Sequence, residues 1–452
     1  MSLRDRLETI RTEPASVQIA SRTQLGVDRK QYGELKTHVH QTLLDRINLE
    51  AMEDLPPQRL KDELRNLVER VLEEENVVIN EAERRNLVRD IQYEMLGLGP
   101  LEPLLADPTI SDILVNSSKQ VYIERRGKLE LTDVVFNDDA HLMKIIDKIV
   151  SRVGRRVDES SPMVDARLPD GSRINAIIPP LAIDGPMMSI RRFAAIPYTM
   201  DDILGFKTLT PEMAEILEGL VKAKLNILIS GGTGAGKTTL LNIMSAYIPQ
   251  AERIITIEDA AELQLQQPHI VRLESRPPNI EGKGDVTQRA LVRNSLRMRP
   301  DRIVLGEVRG AEAVDMMQAM NTGHEGSMAT IHANSPRDAL SRLENMLGLS
   351  GMNLPPRVMR HQISAALTAI IQISRLTDGK RKVVSIQEIT GMEGEIITMQ
   401  DIFVFRQTDV ALDGTVQGHF AATGVRPKFS ERLKSFGIVL ADRLFDPTRI
   451  YE

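Results

Sequence analysis

Residues 231–238 read Gly-Gly-Thr-Gly-Ala-Gly-Lys-Thr, and this segment constrains the fold more than any other part of the chain. It matches the pattern G-x-x-x-x-G-K-[ST] in full, which forms a loop around phosphate groups between a strand and a helix. The apolar run 225–229 precedes it, and residues 238–246 can form a helix. Glycines let backbone N–H groups face the phosphates without Cβ clashes, and the helix N-terminus adds positive potential. The segment therefore predicts an α/β domain with a buried strand ending at a phosphate loop.

The residue types in this loop predict a nucleotide and a divalent metal. Lys237 can reach the β- and γ-phosphates, and Thr238 can ligate Mg²⁺. A glycine-rich turn without a ligand is the alternative, which the full motif and its strand–helix context disfavour. The predicted nucleotide-binding residues of the loop are Gly231, Gly232, Thr233, Gly234, Ala235, Gly236, Lys237, Thr238 and Thr239.

Two later apolar runs end in carboxylates. Residues 253–257 lead into Glu258, and residues 301–305 lead into Gly306 and Glu307. Because ligands of open parallel sheets lie at the carboxyl ends of strands, both glutamates should face the nucleotide, where hydrolysis needs groups for water and metal. Gly306 occupies the position that is commonly a metal-binding Asp, which favours contact between Glu307 and Mg²⁺ through water. For either glutamate alone, a helix N-cap or a surface charge is the alternative.

Histidines and arginines supply further candidates. Two of the eight histidines, His324 and His332, lie close together, and a neutral imidazole at a strand end can hydrogen-bond a γ-phosphate or a carboxylate. A structural histidine is the alternative for each. Arginine gives bidentate phosphate contacts, although a basic surface helix or a DNA-contact stripe would have the same composition. The arginines form two groups, Arg167, Arg173, Arg191 and Arg192, and Arg289, Arg293, Arg297, Arg299 and Arg302. The predicted nucleotide-binding arginines are the four of the first group and Arg293 of the second.

Periodicity and composition divide the 452 residues into segments. Polar residues without periodicity indicate an arm, apolar residues every three or four positions indicate helices, and alternation indicates strands. The predicted segments are a flexible arm (1–30), a helical bundle (31–98), an α+β domain (99–197), a linker (198–205), an α/β domain with a parallel sheet (206–425) and a tail with one helix (426–452).

Composition excludes several classes of protein. The chain has no cysteine, which excludes disulfides, thiolate nucleophiles and cysteine zinc sites. Its net charge of −6 disfavours a globally basic nucleic-acid binder. Neither a signal peptide nor an apolar run of about 18 residues is present. We therefore expect a cytoplasmic protein that contacts the membrane only through partners.

The combined motifs resemble those of the ATPases of type II and type IV secretion systems and type IV pili. Beside the phosphate loop, residues 254–262 are similar to the family's Asp box, 303–307 to its Gly-Glu Walker B and 323–332 to its His box. Residues 99–113, 169–173 and 189–193 are similar to its N-terminal and interdomain segments. The resemblance implies an α/β fold: a RecA-like P-loop ATPase domain preceded by a PAS-like α+β domain and an N-terminal helical bundle.

The resemblance also implies a mechanism and partners. ATP with Mg²⁺ would bind in a homohexameric ring, with Glu258 as the general base and Glu307 supporting Mg²⁺ and water. His332, with His324, would sense the γ-phosphate, while Arg191 and neighbouring arginines would reach the phosphates from the N-terminal domain. Domain motion would act on inner-membrane platform proteins, and through them on pilin, at the inner face of the cytoplasmic membrane.

Within the family, the sequence resembles the tight-adherence (Tad) pilus branch. Ala260 stands where other branches usually carry Pro, the helical region before residue 97 is similar to that branch, and a chain without cysteine cannot form the zinc module of others. Pilus assembly, with retraction also open, is the main prediction, and no nucleic acid is expected as a partner. The alternatives are a type IV secretion or DNA-transfer ATPase, a nucleotide-gated scaffold with little turnover, and a RecA-like DNA-binding protein.

Overall fold

The computed structural model describes residues 29–46, 56–125, 127–168, 170–192, 197–276, 278, 283–351 and 354–451. The chain divides into two compact units, with the division between Ala195 and Ile196. The predicted arm of residues 1–30 lies outside the described residues, except for its last two. Among the described helices, none combines the length and hydropathy that a membrane crossing requires.

Three helices of the first unit form the bundle expected over residues 31–98. They are α1 (Arg29–Arg46), α2 (Pro57–Glu74) and α3 (Glu81–Leu96). Asn80 and Glu83 form a capping box at the start of α3, which satisfies backbone N–H groups that the helix leaves free. Apolar side chains at helical spacing meet in a core of their own: Val39, Leu43, Val68, Val71, Leu72, Leu87, Val88 and Ile91.

The α+β part of the first unit is an antiparallel sheet with a helix on one face. Its order is β3-β2-β1-β6-β5-β4. Alternation along the strands buries one face against the helix α5, as for Ile113 and Val115 beside Ile146. The elements are α4 (Glu102–Ala106), β1 (Ile110–Ser117), β2 (Gln120–Arg125), β3 (Lys128–Leu131), α5 (Asp139–Arg152), β4 (Met163–Arg167), β5 (Arg173–Ile177) and β6 (Met187–Arg191).

Glu94 of α3 ties the bundle to this α+β part. Its carboxylate accepts a hydrogen bond from Nζ of Lys36 at 2.6 Å and lies 2.9 Å from Nε2 of His141 in α5. Burial opposes ionisation, but the hydrogen bond with His141 and the charge of Lys36 lower the pKa of Glu94 to about 2. The bundle and the helix α5 therefore share one ionised carboxylate.

The second unit is built on a ten-stranded sheet ordered β16-β15-β14-β13-β12-β7-β11-β10-β8-β9. The strands from β12 to β9 in this order are parallel, and the others are antiparallel. The strands are β7 (Ile227–Gly231), β8 (Ile254–Glu258), β9 (Ile270–Glu274), β10 (Arg302–Val308), β11 (Met328–His332), β12 (Ala369–Arg375), β13 (Arg381–Glu393), β14 (Ile396–Val410), β15 (Val416–Ala422) and β16 (Ile450–Tyr451).

Helices cover both faces of the parallel strands, which explains why these strands are continuous apolar runs. One face packs against α6, α7, α8 and α13, and the other against α9 to α12. The helices are α6 (Met200–Gly205), α7 (Pro211–Lys222), α8 (Lys237–Ser245), α9 (Gln288–Ser295), α10 (Glu312–Asn321), α11 (Pro336–Leu349), α12 (Pro356–Ala366) and α13 (Ser430–Ser435).

Two segments differ from the sequence-based expectation. Residues 200–205 of the predicted linker form α6, and Ile203 is buried in the core of the second unit. The predicted tail also belongs to that core, because Leu433 and Phe445 are buried in it. Buried Glu388 of β13 accepts hydrogen bonds from the backbone N–H groups of Lys428 and Phe429, which anchors the start of α13. In both segments the apolar residues are few and stand among polar ones, so the sequence pattern did not predict that they are buried in the core.

Candidate nucleotide site

The phosphate loop joins β7 to α8 in the predicted way. Gly236, with φ 98°, precedes the helix, a conformation that residues with a Cβ rarely adopt. At Gly231 a Cβ would lie 2.4 Å from the carbonyl oxygen of Ile373 on the neighbouring strand β12. Glycine is therefore required both where the loop passes β12 and where the helix begins.

The first turn of α8 carries the polar side chains of the loop. Nζ of Lys237 donates to the carbonyl oxygen of Gly232 at 3.0 Å, so the ammonium lies over the loop. Thr238 and Thr239 follow it in the same turn. Backbone N–H groups at a helix N-terminus favour an anion, and a phosphate is the anion that this motif binds.

Glu258, the last residue of β8, is buried at the carboxyl edge of the parallel strands. Its Oε2 accepts hydrogen bonds from the backbone N–H groups of Glu262 and Leu263 at 2.7 and 2.9 Å. Its Oε1 is buried without a hydrogen-bond partner among the described residues. Burial raises the pKa of Glu258 to about 7, although the two backbone hydrogen bonds oppose the rise. Such a carboxylate can take a proton near neutral pH.

Strand β10 carries a glycine, Gly306, directly before Glu307, and the neighbouring strand β8 explains why. A Cβ at Gly306 would lie 2.9 Å from Cγ and 3.4 Å from Oε2 of Glu258. Thr330 of β11 donates to the carbonyl oxygen of Gly306 at 2.6 Å, which fixes the backbone there. The glycine therefore makes room for the carboxylate of the neighbouring strand.

We predict that Gly306→Ala lowers kcat for ATP by about 10- to 100-fold, because the new Cβ would displace Glu258 from its position. Steady-state ATP hydrolysis and thermal unfolding of the variant measure this. Gly348→Ala in α11 is the control, since a Cβ there meets nothing within 4 Å. Equal activity of the two variants would contradict the steric role of Gly306.

Glu307 and His332 lie at the same carboxyl edge of the sheet as Glu258. Oε2 of Glu307 accepts hydrogen bonds from Nε and Nη2 of Arg309 at 3.0 and 2.7 Å. His332, the last residue of β11, pairs in register with Gly231, and its Nδ1 lies 3.4 Å from Oγ1 of Thr233. Partial burial, and then the charge of Lys237, lower the pKa of His332, which favours the neutral imidazole.

His324 does not reach this edge, so the structure does not bring this predicted catalytic residue to the phosphate loop. It precedes the start of β11, whereas the phosphate loop lies at the end of the parallel strands. Its carbonyl oxygen accepts a hydrogen bond from Oγ of Ser327, which in turn accepts from the backbone N–H of Ile303 at the start of β10. His324 therefore belongs to the opposite edge of the sheet.

Arg293, another predicted nucleotide-binding residue, lies with a flanking helix. Arg293 lies near the end of α9, with its Nε 3.8 Å from Oδ1 of Asp315 in α10. The chain then runs to the start of β10, at the amino edge of the parallel strands. Arg293 therefore pairs with a flanking helix and is not brought to the phosphate loop.

Of the four arginines predicted to bind nucleotide in the first unit, three lie side by side on its sheet. Arg167 pairs in register with Arg173, and Arg173 pairs with Arg191, so the three form a row across β4, β5 and β6. Nε of Arg191 donates to Oδ1 of Asp112 at 3.2 Å. Arg192 donates to the carbonyl oxygen of Asp107. The row is a cationic surface of the first unit, and its contact with phosphates stays a prediction.

Two arginines that sequence reasoning missed lie beside the phosphate loop. Nε of Arg381, the first residue of β13, donates to the carbonyl oxygen of Gly234 at 3.0 Å. Arg375, the last residue of β12, lies with its Nη1 3.7 Å from the place of a Cβ at Gly234. Their only sequence signal is position, since both flank the turn after a buried strand that neighbours β7.

The oxygen donors at this edge fit Mg²⁺ held together with a nucleotide. Thr238, Glu307 and the unpartnered Oε1 of Glu258 supply oxygen ligands or contacts for bound water, which Mg²⁺ prefers. No group of three or more His, Cys, Asp or Glu side chains is placed to hold an ion within the described part of the chain. Mg²⁺ in nucleotide sites characteristically uses one or two protein ligands plus phosphate oxygens and water, which agrees with this donor set.

Comparison with known proteins identifies a family to which this chain is similar. Residues 94–410 match the family described as "Type II/IV secretion system protein". A protein of Mycobacterium tuberculosis (strain ATCC 25618 / H37Rv) named for conjugal transfer is 38% identical over 315 residues, 68% of this chain and 89% of that protein. The conjugal transfer protein TrbB of Rhizobium radiobacter is 33% identical, over 68% of this chain and 91% of its own length. The type IV secretion system protein VirB11 of Brucella suis is 32% identical, over 61% of this chain and 84% of its own.

Solved structures match as well. The VirB11 ATPase of the Brucella suis type IV secretion system, in complex with sulphate, is 30% identical with a TM-score of 0.35, covering 64% of this chain and 95% of that one. The pilus retraction motor PilT with bound ADP is 23% identical with a TM-score of 0.45, covering 61% of this chain and 78% of that one. On the family match over residues 94–410 and the identity to TrbB, the chain belongs to the type II/IV secretion system protein family.

Proposed function

We propose that this chain is the ATP-hydrolysing motor of a type IV secretion or DNA-transfer system. Membership of the family makes it an ATP hydrolase of type II/IV secretion. The observation that carries the activity is Glu258, a buried carboxylate with a pKa of about 7 at the carboxyl edge that also holds the phosphate loop. A group with these properties can remove a proton from an attacking water at neutral pH.

The other residues of the edge take complementary roles. Lys237 and the N–H groups of the loop would bind the phosphates, and His332, whose Nδ1 lies 3.4 Å from Oγ1 of Thr233, would respond to the γ-phosphate. Thr238 and Glu307 would hold Mg²⁺, directly or through water, and the ion when bound would neutralise charge on the phosphates. Glu258 would orient the water and accept its proton.

The choice between a secretion system and the Tad pilus rests on the names of the similar proteins. The three similar sequences reported above are named for conjugal transfer and type IV secretion, which favours the secretion alternative over the Tad pilus. Tad pilus assembly is the second candidate, and Ala260 together with the absence of cysteine supports it. Both candidates would work at the inner face of the cytoplasmic membrane, with platform proteins as partners.

Assays in cells and on the purified chain separate these functions. A strain that lacks the gene is compared with the same strain complemented by the wild-type chain, for DNA transfer and for surface pili. Loss of DNA transfer supports the proposal, and loss of pili alone supports the Tad candidate.

Purified chain without Mg²⁺-dependent ATP turnover would contradict a motor and favour the nucleotide-gated scaffold. Steep salt-dependent binding to DNA would contradict our expectation that nucleic acid is not a direct partner.

We further propose a homohexamer as the working state, as the family resemblance implies. Light scattering of the chain with a non-hydrolysable ATP analogue tests it. A mass of six subunits is the expected result. A monomer under all nucleotide conditions would contradict the ring.

A further inference from the structure

Arg309, the second residue after Glu307, contacts the carboxylates at the ends of two neighbouring strands. Its Nε and Nη2 donate to Oε2 of Glu307 at 3.0 and 2.7 Å. Its Nη1 lies 3.4 Å from Oδ2 of Asp259, the residue that follows β8. One guanidinium therefore links the acidic ends of β8 and β10, a geometry that suits a planar fork of donors.

The backbone of Arg309 is fixed, whereas its side chain can leave. Oε1 of buried Glu312 in α10 accepts hydrogen bonds from the backbone N–H groups of Arg309 and Gly310 at 2.6 and 2.7 Å. The side chain of Arg309 is 55% exposed, so solvent can receive the guanidinium when it moves away from the carboxylates. The arginine is thus anchored at one end and free to exchange partners at the other.

The catalytic carboxylate and the metal-supporting carboxylate are held differently. Oε2 of Glu258 is held by backbone N–H groups, which do not leave with a change of ligand. Glu307 is held by Arg309, a cation that competes directly with any metal ion for the same oxygen. This difference indicates that Arg309 acts on metal binding, through Glu307, rather than on the general base.

We propose that Arg309 is a positioning residue that holds Glu307 until a Mg²⁺–nucleotide complex displaces the guanidinium from it. The inference rests on the proposed function, because it requires that complex at the phosphate loop. Before the complex binds, Arg309 balances the charge of Glu307 and Asp259. With Mg²⁺ and nucleotide bound, Glu307 would support the ion, directly or through water, and the exposed guanidinium of Arg309 would turn to solvent. Arg309 therefore sets the Mg²⁺ concentration at which the site binds nucleotide tightly.

Binding of a fluorescent, non-hydrolysable ATP analogue, titrated with Mg²⁺ and compared with EDTA, tests the proposal without turnover. In Arg309→Gln, the Mg²⁺ concentration for half-maximal tightening should fall by about 3- to 10-fold, a competition worth roughly 0.6–1.4 kcal/mol. Arg360→Gln is the matched control: Arg360 pairs with Glu344 at 2.8 Å between α11 and α12, away from the loop. It should leave the Mg²⁺ dependence unchanged.

A second background shows whether Arg309 acts through Glu307. In Glu307→Gln protein, removing Arg309 should no longer shift the Mg²⁺ dependence, because the shared oxygen has lost its charge. A half-maximal Mg²⁺ concentration for Arg309→Gln equal to wild type, or an equal shift in both backgrounds, would overturn the proposal. If Arg309→Gln does not fold, Arg309→Lys replaces it, since lysine keeps the charge but loses the bidentate fork. Failure of wild-type protein to bind the analogue would instead refute the nucleotide site itself.

Discussion

Glu258→Gln should lower kcat by about 10²- to 10⁴-fold while nucleotide binding is kept, because an amide cannot accept the proton of the attacking water. The substitution preserves shape, and the amide oxygen can still accept the backbone N–H groups of Glu262 and Leu263. Its NH₂ group would then stand where Oε1 is now buried without a partner. The fold should therefore survive, and the loss should appear in kcat rather than in KM.

Glu388→Gln is the matched control for this loss. Glu388 is also buried and also accepts two backbone N–H groups, from Lys428 and Phe429, but it anchors α13. Its loss should reduce stability and leave kcat of the folded protein near wild type. Equal loss of kcat in both variants would mean that a buried carboxylate matters here only for structure.

The pH dependence gives an independent test of Glu258. A base works only when ionised, and burial raises the pKa of Glu258 to about 7 from the usual 4.5. The rate kcat/KM should therefore fall as the pH drops below about 7, tenfold per unit, and be level above it. A profile that stays level down to about pH 5 would exclude Glu258 as the base, or its burial in the working enzyme.

Much of this edge was predictable because its signals are local. The phosphate loop specifies its own strand and helix, and apolar runs that end in Glu258 and Glu307 indicate parallel strands with acidic carboxyl ends. Parallel pairing then brings those ends together without any further information. Gly306 was visible as a departure from Asp, but its reason, the close approach of Glu258, requires the neighbouring strand.

Sequence reasoning misplaced residues whose distance from the phosphate loop depends on which end of a strand they occupy. His324 and His332 are near in sequence, yet β11 starts after the first and ends at the second, and its five residues span about 13 Å. Arg309 and Arg381 carry no motif of their own that binds phosphate or metal. Their relevance comes from side chains that reach across strands, which composition and periodicity do not encode.

Arg302 shows this limit of sequence-based prediction most clearly, since its sequence context groups it with arginines that could bind phosphate or DNA. Its side chain is fully buried, at 0% exposure. Nε and Nη2 donate to Glu252 at 2.6 and 3.3 Å, and Nη1 donates to the carbonyl oxygens of Val221 and Gly326 at 2.8 and 3.3 Å. All of these partners lie at the amino edge of the sheet, so Arg302 joins β10 to the end of α7 and to the loop before β11.

Arg302→Met should therefore lower the free energy of unfolding of the second unit by about 3–5 kcal/mol, because it leaves Glu252 buried without its main partner. Domains have about 5–15 kcal/mol in total, so the variant should be marginal. Scanning calorimetry of wild type and variant measures the loss. Arg293→Met is the control: Arg293 is 69% exposed and 3.8 Å from Asp315, and such a pair contributes at most about 1 kcal/mol.

A double variant separates the lost ion pair from lost packing. Arg302→Met with Glu252→Leu replaces both charges by apolar side chains, and buried pairs replaced in this way are often neutral or more stable. Most of the lost stability should return, although Val221 and Gly326 would still lack the donor that Arg302 supplied. If the double variant is as unstable as Arg302→Met, the carbonyl contacts rather than the ion pair hold this edge. Equal stability of Arg302→Met and Arg293→Met would show that burial gives Arg302 no special role.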